Sequence, residues 1–328
     1  MLKLLYLRKY RLGVGSLRQL YSNLRQNQDM QRLFLILSVF SMAIIQSCQS
    51  TKSAATSKML RFNFEKGKGY DYETIMNLDY VSGNETRQTD MTAYYSMFVA
   101  EDNGSMKTIK AKYERFKMSL DIAGLNIIID SDNPISSGGN KTEVSEIMGM
   151  MNKFFGAIKK QEFFLKVNAE GSITEVTGFD QMAVSIADSL GLQGASREQM
   201  LQAFKKRFNG DAVKEQMERF LFIFPDKEVK VGDSWTKSSS QKGLLDAKYN
   251  SVYKVTDIEG EMVTVEELTT INSANPESDL KGEIKGELVI DSRTGLVVNA
   301  DQDINANTSE KGKSVKIIGK TKVKGKAL

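Results

Sequence analysis

Two long stretches of this chain alternate apolar and polar residues with a period of two, and they flank a central stretch with helical spacing. A strand sends successive side chains to opposite faces, whereas a helix gathers positions three or four apart onto one stripe. The first alternating stretch, Leu60–Tyr80 and Arg87–Asp121, is rich in Tyr, Phe, Val, Ile and Thr. Ser82-Gly83-Asn84 and Asp102-Asn103-Gly104 punctuate it, and the Asn-Gly pair favours a tight hairpin. The central stretch predicts three helices, over Thr142–Lys160, Gly178–Leu190 and Ser196–Phe224. Ser196 would cap the third, Gly210-Asp211 would break it in two, and Pro225 would stop it. The expected fold class is therefore α+β, with long antiparallel β-sheets curved around a central group of helices.

After Pro225 the strand pattern returns with familiar punctuation. Glu65-Lys66-Gly67 before Tyr70 is echoed by Lys230-Val231-Gly232 before Trp235. The hairpin around Asp102-Asn103-Gly104 is echoed around Asp257-Ile258-Glu259-Gly260, and the turn Ala169-Glu170-Gly171 by Ser292-Arg293-Thr294-Gly295. Matched features in the same order suggest a duplicated β unit, although strand-rich sequences mimic one another easily.

Cys48 is the single cysteine of 328 residues, and it follows a 13-residue apolar run, Leu33–Ile45, closed by Gln46-Ser47. The run is too short to span a bilayer, which takes about 20 residues, and it follows Arg32 as the h-region of a secretory signal would. It resembles lipobox signals, in which the cysteine after the cut is acylated and becomes the mature N-terminus. Gln46 departs from the small residue usual at its place. A buried thiol and an uncleaved anchor are the competing readings. Residues 1–29 carry six basic groups and one acid, as a start codon assigned too early, a long n-region or a surface helix would.

The formal charge of +4 belongs to that leader. Residues 1–47 hold seven of the 45 Lys and Arg and one of the 41 acids, leaving 38 against 40 beyond them. A near-neutral mature chain has no global field for nucleic acid, so no nucleic-acid partner is expected. Histidine is absent, which removes imidazole relays, Ser-His-Asp systems and most zinc sites. No cofactor, no metal and no enzymatic activity are expected. The domains read as leader and signal peptide over 1–47, with 1–29 outside the true translation product on the early-start reading. A flexible tether over 48–58 follows, then a first β-rich half over 59–178, a helical insert over 179–225 and a second β-rich half over 226–328.

The order from Leu60-Arg61-Phe62-Asn63-Phe64-Glu65-Lys66-Gly67 through Asp130-Ser131-Asp132-Asn133 to Val229-Lys230-Val231-Gly232-Asp233-Ser234-Trp235 resembles lipoproteins of Bacteroidota that carry a domain of unknown function. The resemblance implies an envelope location and a β-rich body and supplies no catalytic residues. Gln49-Ser50-Thr51-Lys52 lacks an acidic cluster associated with surface display, which favours an outer-membrane anchor facing the periplasm.

Polar constellations offer little chemistry. Asp130-Ser131-Asp132-Asn133 lacks the mid-loop Gly and terminal Glu of a calcium loop and reads as a capped turn. Ile135–Asn140 is Gly-rich without a P-loop lysine, and Glu266-Glu267 and Glu283 with Glu287 read as exposed strand faces rather than glycosidase carboxylates. The apolar residues carry more. Met151, Phe155, Phe204, Phe208 and Phe220 would line a pocket for a lipid or other apolar ligand, or else cover the sheet as plain core. Lys320, Lys322, Lys324 and Lys326 share one face of a strand, read as an edge protected by lysine in preference to an anionic-surface contact. The expected protein is a membrane-tethered envelope lipoprotein that binds an apolar ligand. The alternative is a structural or protein-interaction module with an envelope protein partner.

Overall fold

The computed structural model describes residues 56–328 apart from 123–124, 134–142, 160, 208–209, 242–245, 277 and 311–312. Cys48, Phe208 and the Gly-rich segment Ile135–Asn140 lie outside the described residues. Residues Ala55–Leu328 form one compact unit. Its elements run β1 (Lys58–Leu60), β2 (Gly69–Ser82), β3 (Glu85–Asp102), β4 (Met106–Ile122), β5 (Leu125–Asp130), α1 (Glu143–Ile158), β6 (Glu162–Asn168) and β7 (Ile173–Thr177). Then follow α2 (Phe179–Ser189), α3 (Gly194–Arg207), α4 (Gly210–Leu221), β8 (Lys227–Val229), β9 (Ser234–Gln241), β10 (Ala247–Glu259), β11 (Met262–Ser273), β12 (Lys281–Asp291), β13 (Leu296–Glu310) and β14 (Lys313–Ala327).

Twelve strands join in one antiparallel sheet, ordered β7-β6-β4-β3-β2-β14-β13-β12-β11-β10-β9 with β5 also on β4, while β1 and β8 form a small separate pair. Alternation assigns the faces. On β10 Tyr253 and Val255 are buried while Lys248, Asn250 and Lys254 are exposed. Strands β2 to β4 and β10 to β14 put their apolar rows on the same side, where they form the main core with residues of the helices.

The expected α+β class, with sheets curved around a central group of helices, is wrong. The molecule is mostly β, one large sheet with four short helices. The helical spacing of the central segment is real, and the break falls at Gly210 as the sequence implies, but the helices do not form a central group within the sheet. α1 meets β5, and α4 touches both β7 and β9, the two terminal strands. Helix α3 begins at Gly194, so Ser196 lies inside it rather than at its cap. Lys237 of β9 reaches Glu170 in the β6–β7 turn at 2.5 Å and lies over the Phe222 ring at 4.1 Å. The sheet thus curls until its ends face one another across α4 and the residues after it.

The repeated punctuation corresponds to repeated structure. Gly67 N–H donates to Val99 O at 2.9 Å and Gly232 N–H donates to Val255 O at 2.9 Å. β3 bulges between Val99 and Glu101, and β10 between Val255 and Asp257. Tyr70 faces Met97 and Val99 faces Ile109, as Trp235 faces Tyr253 and Val255 faces Val265. Ile109 faces Leu165 as Val265 faces Leu288. The turn glycines Gly171 and Gly295 have φ of 83° and 75°, and an added Cβ would lie 1.6 Å from Leu221 O and 2.3 Å from Arg61 O. Each half therefore rests one glycine turn against the backbone that enters the other half.

β14 is not an edge, which overturns the lysine-guarded edge reading. It lies between β13 and β2, and its outward lysines face acids across the ladder. Lys320 lies 3.2 Å from Asp301 and 3.6 Å from Asp303, and Lys322 3.7 Å from Asp301. Lys324 and Lys326 are in register with Glu73 and Asp71. Cross-strand opposite charges favour such pairing, modestly where the groups are open to solvent.

Candidate functional site

The inward row of β11 reads Val263, Val265, Glu267, Thr269 and Ile271, so a carboxylate stands where the pattern calls for an apolar residue. The Glu267 side chain is 1% exposed. A lone carboxylate taken out of water costs several kcal/mol, so it must be matched. Arg219 Nη2 donates to its Oε1 at 2.8 Å, Thr269 Oγ1 donates to the same oxygen at 2.5 Å, and Gln302 Nε2 donates to Oε2. Ser251 Oγ lies 2.6 Å from Thr269 Oγ1 and extends the cluster.

Register explains why these groups meet. Glu267 faces Tyr253 on β10 and Gly286 on β12, and Gly286 faces Gln302 on β13. With no side chain on Gly286, Gln302 crosses β12 to reach the carboxylate. A Cβ there would lie 2.6 Å from Asp301 O and 2.7 Å from Gln302 Cγ. Arg219 arrives from the last turn of α4, and its guanidinium lies 5.2 Å from the Tyr249 ring centre, as a cation over a π face. Burial, the largest single influence, pulls its pKa down, but the Glu267 charge and hydrogen bond together with Tyr253 and Tyr249 outweigh it, and the net shift is upward. Burial, then the Glu267 charge, pushes the Tyr253 phenol up to about 12. Tyr249 is raised by burial.

Beside the ion pair lies a narrow cavity of about 30 Å³, space for one or two waters. Met217, Phe220, Leu221 and Ile223 close it on the helix side, and Tyr72, Met97, Leu288, Val297, Ala300 and Val323 form sheet walls. Along β11, Glu267 and Thr269 separate the main core from a second apolar cluster built on Ile271, Ile284, Ala306, Val315 and Ile317. Leu78, Tyr80, Tyr249 and Ile304 line that cluster half-buried. The curved face is thus an apolar trough with one compensated polar belt.

The residues expected to form a pocket are spread over three helices. Phe155 on α1 is buried with its ring 5.2 Å from Phe116, and Met151 is half-buried against the same core. Phe204 on α3 is buried in the main core. Phe220 on α4 lines the cavity beside the ion pair and is 37% exposed. The exposed strand face expected for Glu266-Glu267 holds for Glu266 alone, because the two point to opposite faces and Glu267 is buried; an acid at an inward position of the alternation was the signal for it. Arg219, Gln302 and Gly286 carried no comparable signal. At the Asp130 turn, Arg115 holds Asp130 at 3.0 and 2.6 Å, which lowers that carboxyl to about 2, and Lys159 holds Asp132. Among the described residues no group of three or more His, Cys, Asp or Glu is placed to hold a metal ion.

A family model described as a family of unknown function, DUF6263, matches residues 104–297. The chain belongs to this family. The DUF6263 region runs from the β3–β4 turn to the start of β13, so it holds Arg219, Glu267 and Gly286, with Gln302 just beyond. No curated protein matches. Among solved structures, lipovitellin is 9% identical with a TM-score of 0.45, over 80% of this chain and 25% of its own. The chain thus spans about a quarter of lipovitellin's length. DynF from the dynemicin biosynthesis pathway of Micromonospora chersina is 5% identical with a TM-score of 0.20, over 83% of this chain and 86% of its own. Ail, the attachment invasion locus protein of Yersinia pestis, is 6% identical with a TM-score of 0.15, over 80% and 100%. These likenesses are too weak to bear on function.

Proposed function

We propose that this DUF6263 protein is a non-enzymatic envelope lipoprotein of the Bacteroidota kind. Acylated Cys48 tethers it to the outer membrane on the periplasmic side, and an apolar ligand such as a lipid enters the trough beneath α4. The observation that carries this reading is an apolar trough interrupted by one ion pair, whose cationic half comes from the covering helix. In the closed form the cavity holds no more than about one or two waters, so uptake requires α4 to lift. Glu267 has three donors on its two oxygens, which suits a latch better than a proton-transfer group.

Native mass spectrometry of the full chain purified from its own envelope, with extraction and lipid analysis, tests the reading. A bound apolar species supports it; a clean mass turns it down. The small closed cavity favours a second reading, an interaction module that uses the charged outer face of the sheet to hold an envelope protein. Truncation after Gly319 would remove the buried Thr321 and Val323 and unsettle the core. Charge reversal at exposed Lys320 is the cleaner test, and an unchanged pull-down of envelope proteins would count against that module.

A further inference from the structure

A buried polar side chain without a partner is uncommon and calls for an explanation. Asn152, in the middle of α1, is 8% exposed, and among the described residues neither its Nδ2 nor its Oδ1 has a hydrogen-bond partner. It lines an open groove of about 730 Å³ with Lys112, Ser131, Lys153, Lys159 and Ser189. The groove occupies a gap in the sheet. β4 pairs with β6 through Met106–Lys112 and with β5 through Lys117–Ile122, which leaves the residues between without a strand on that side. Ser131 bridges the gap instead: its N–H donates to Phe116 O, and its Oγ accepts from Phe116 N–H.

Two further features point the same way. The described lining holds three ammonium groups and no carboxylate. Lys159 pairs with Asp132 and Lys112 with Glu114, acids outside the lining, while Lys153 has no ion pair among the described residues. Gly156 forms part of the floor, inside α1, where glycine is a poor helix former. A Cβ there would meet nothing within 4 Å, so packing does not demand glycine. Its effect is to keep the floor bare.

We infer that this groove binds a phosphate monoester group. The lysines neutralise its charge, and Asn152 Nδ2 donates to a phosphate oxygen. Asn152 Oδ1 accepts from the P–OH of the monoprotonated form, which a carboxylate or a phosphodiester lacks. The source of that chemistry is free phosphate or a lipid phosphomonoester headgroup, and the site stands independently of the trough beneath α4.

The test uses the full chain in detergent micelles, titrated with inorganic phosphate by calorimetry, and its binding to vesicles of phosphatidic acid, phosphatidylglycerol or phosphatidylcholine. Saturable phosphate binding, or binding to phosphatidic acid above the diester lipids, is the expected result. Response to inorganic phosphate assigns a free ligand, and response to phosphatidic acid alone assigns a headgroup. Asn152→Leu removes the unpartnered amide, so it should keep or raise thermal stability while binding is lost. Lys153→Ala, an exposed change, should weaken binding about tenfold. No response to phosphate or phosphatidic acid, or undiminished binding in folded Asn152→Leu and Lys153→Ala proteins, would overturn the assignment.

Discussion

The two halves of the sheet share a register and differ in what they place on it. Met97 faces Ala111 and Tyr95 faces Tyr113 in the first half; Tyr253 faces Glu267 and Ser251 faces Thr269 at the matching places in the second. Ala111 faces Phe163, and Glu267 faces Gly286. Beside Met97 and Ala111 the first half fills these positions with rings: Tyr95 and Tyr113 lie 6.3 Å apart, and Tyr113 and Phe163 5.7 Å apart. The second half fills them with one ring, Tyr253, a carboxylate, two hydroxyls and a glycine, and closes them with an arginine from a helix. Separating the rings would return apolar surface to water at about 25 cal/mol per Å². Lifting α4 would also expose buried Val213, Met217 and Leu221, but it rehydrates two charges as well, and the buried ion pair itself has little net stability to lose because desolvation offsets its attraction. The same backbone geometry thus gives one half a core of rings and the other a buried ion pair closed by a helix, the place where the proposed opening would occur.

The largest effect should come from making the second half half-like the first. Glu267→Ala alone strands Arg219 and should cost about 3–5 kcal/mol in denaturant unfolding. Adding Arg219→Met removes the stranded charge and should recover most of that loss. A double variant as weak as the single one would break the comparison. Gly286→Ala should cost about 1–3 kcal/mol by overpacking and should part Gln302 from Glu267. Free tolerance of that methyl would show that the glycine gap is not what brings them together.

Alkaline titration sharpens the comparison, because each half buries a tyrosine raised to about 12, Tyr113 and Tyr253, from an ordinary 10.0. A raised tyrosine pKa favours the neutral phenol in the folded state. Its stabilisation is whole below pH 10 and is lost as the pH rises toward 12. Tyr253→Phe should remove the second half's share of that decline, and an unchanged profile would refute the assignment. Least of all, Lys320→Glu on the outer ladder should shift the unfolding midpoint only slightly, because exposed ion pairs are screened by solvent.

Much of this architecture was legible. The break at Gly210, the glycine turns and the echo between halves are local signals, fixed by period and by the few residues that tolerate positive φ. The part that was not legible depends on neighbours distant in sequence. Lys320 reads as an edge guard until its strand is placed between β13 and β2. Glu267 reads as part of an exposed strand face until the face of each residue is assigned. Gln302 becomes its partner because Gly286, on the strand between, leaves room. Met151, Phe155 and Phe204 were recognisable as apolar helix faces, but periodicity alone gives no direction in which a helix docks.

Hydrogen exchange across α4, compared with β10 to β13, tests the account most directly. α4 amides should exchange through a local opening well below the free energy of global unfolding, and should gain protection when the full chain carries an apolar ligand. Exchange of α4 through global unfolding alone, equal to that of the strands beneath it, would contradict a helix that opens over the trough.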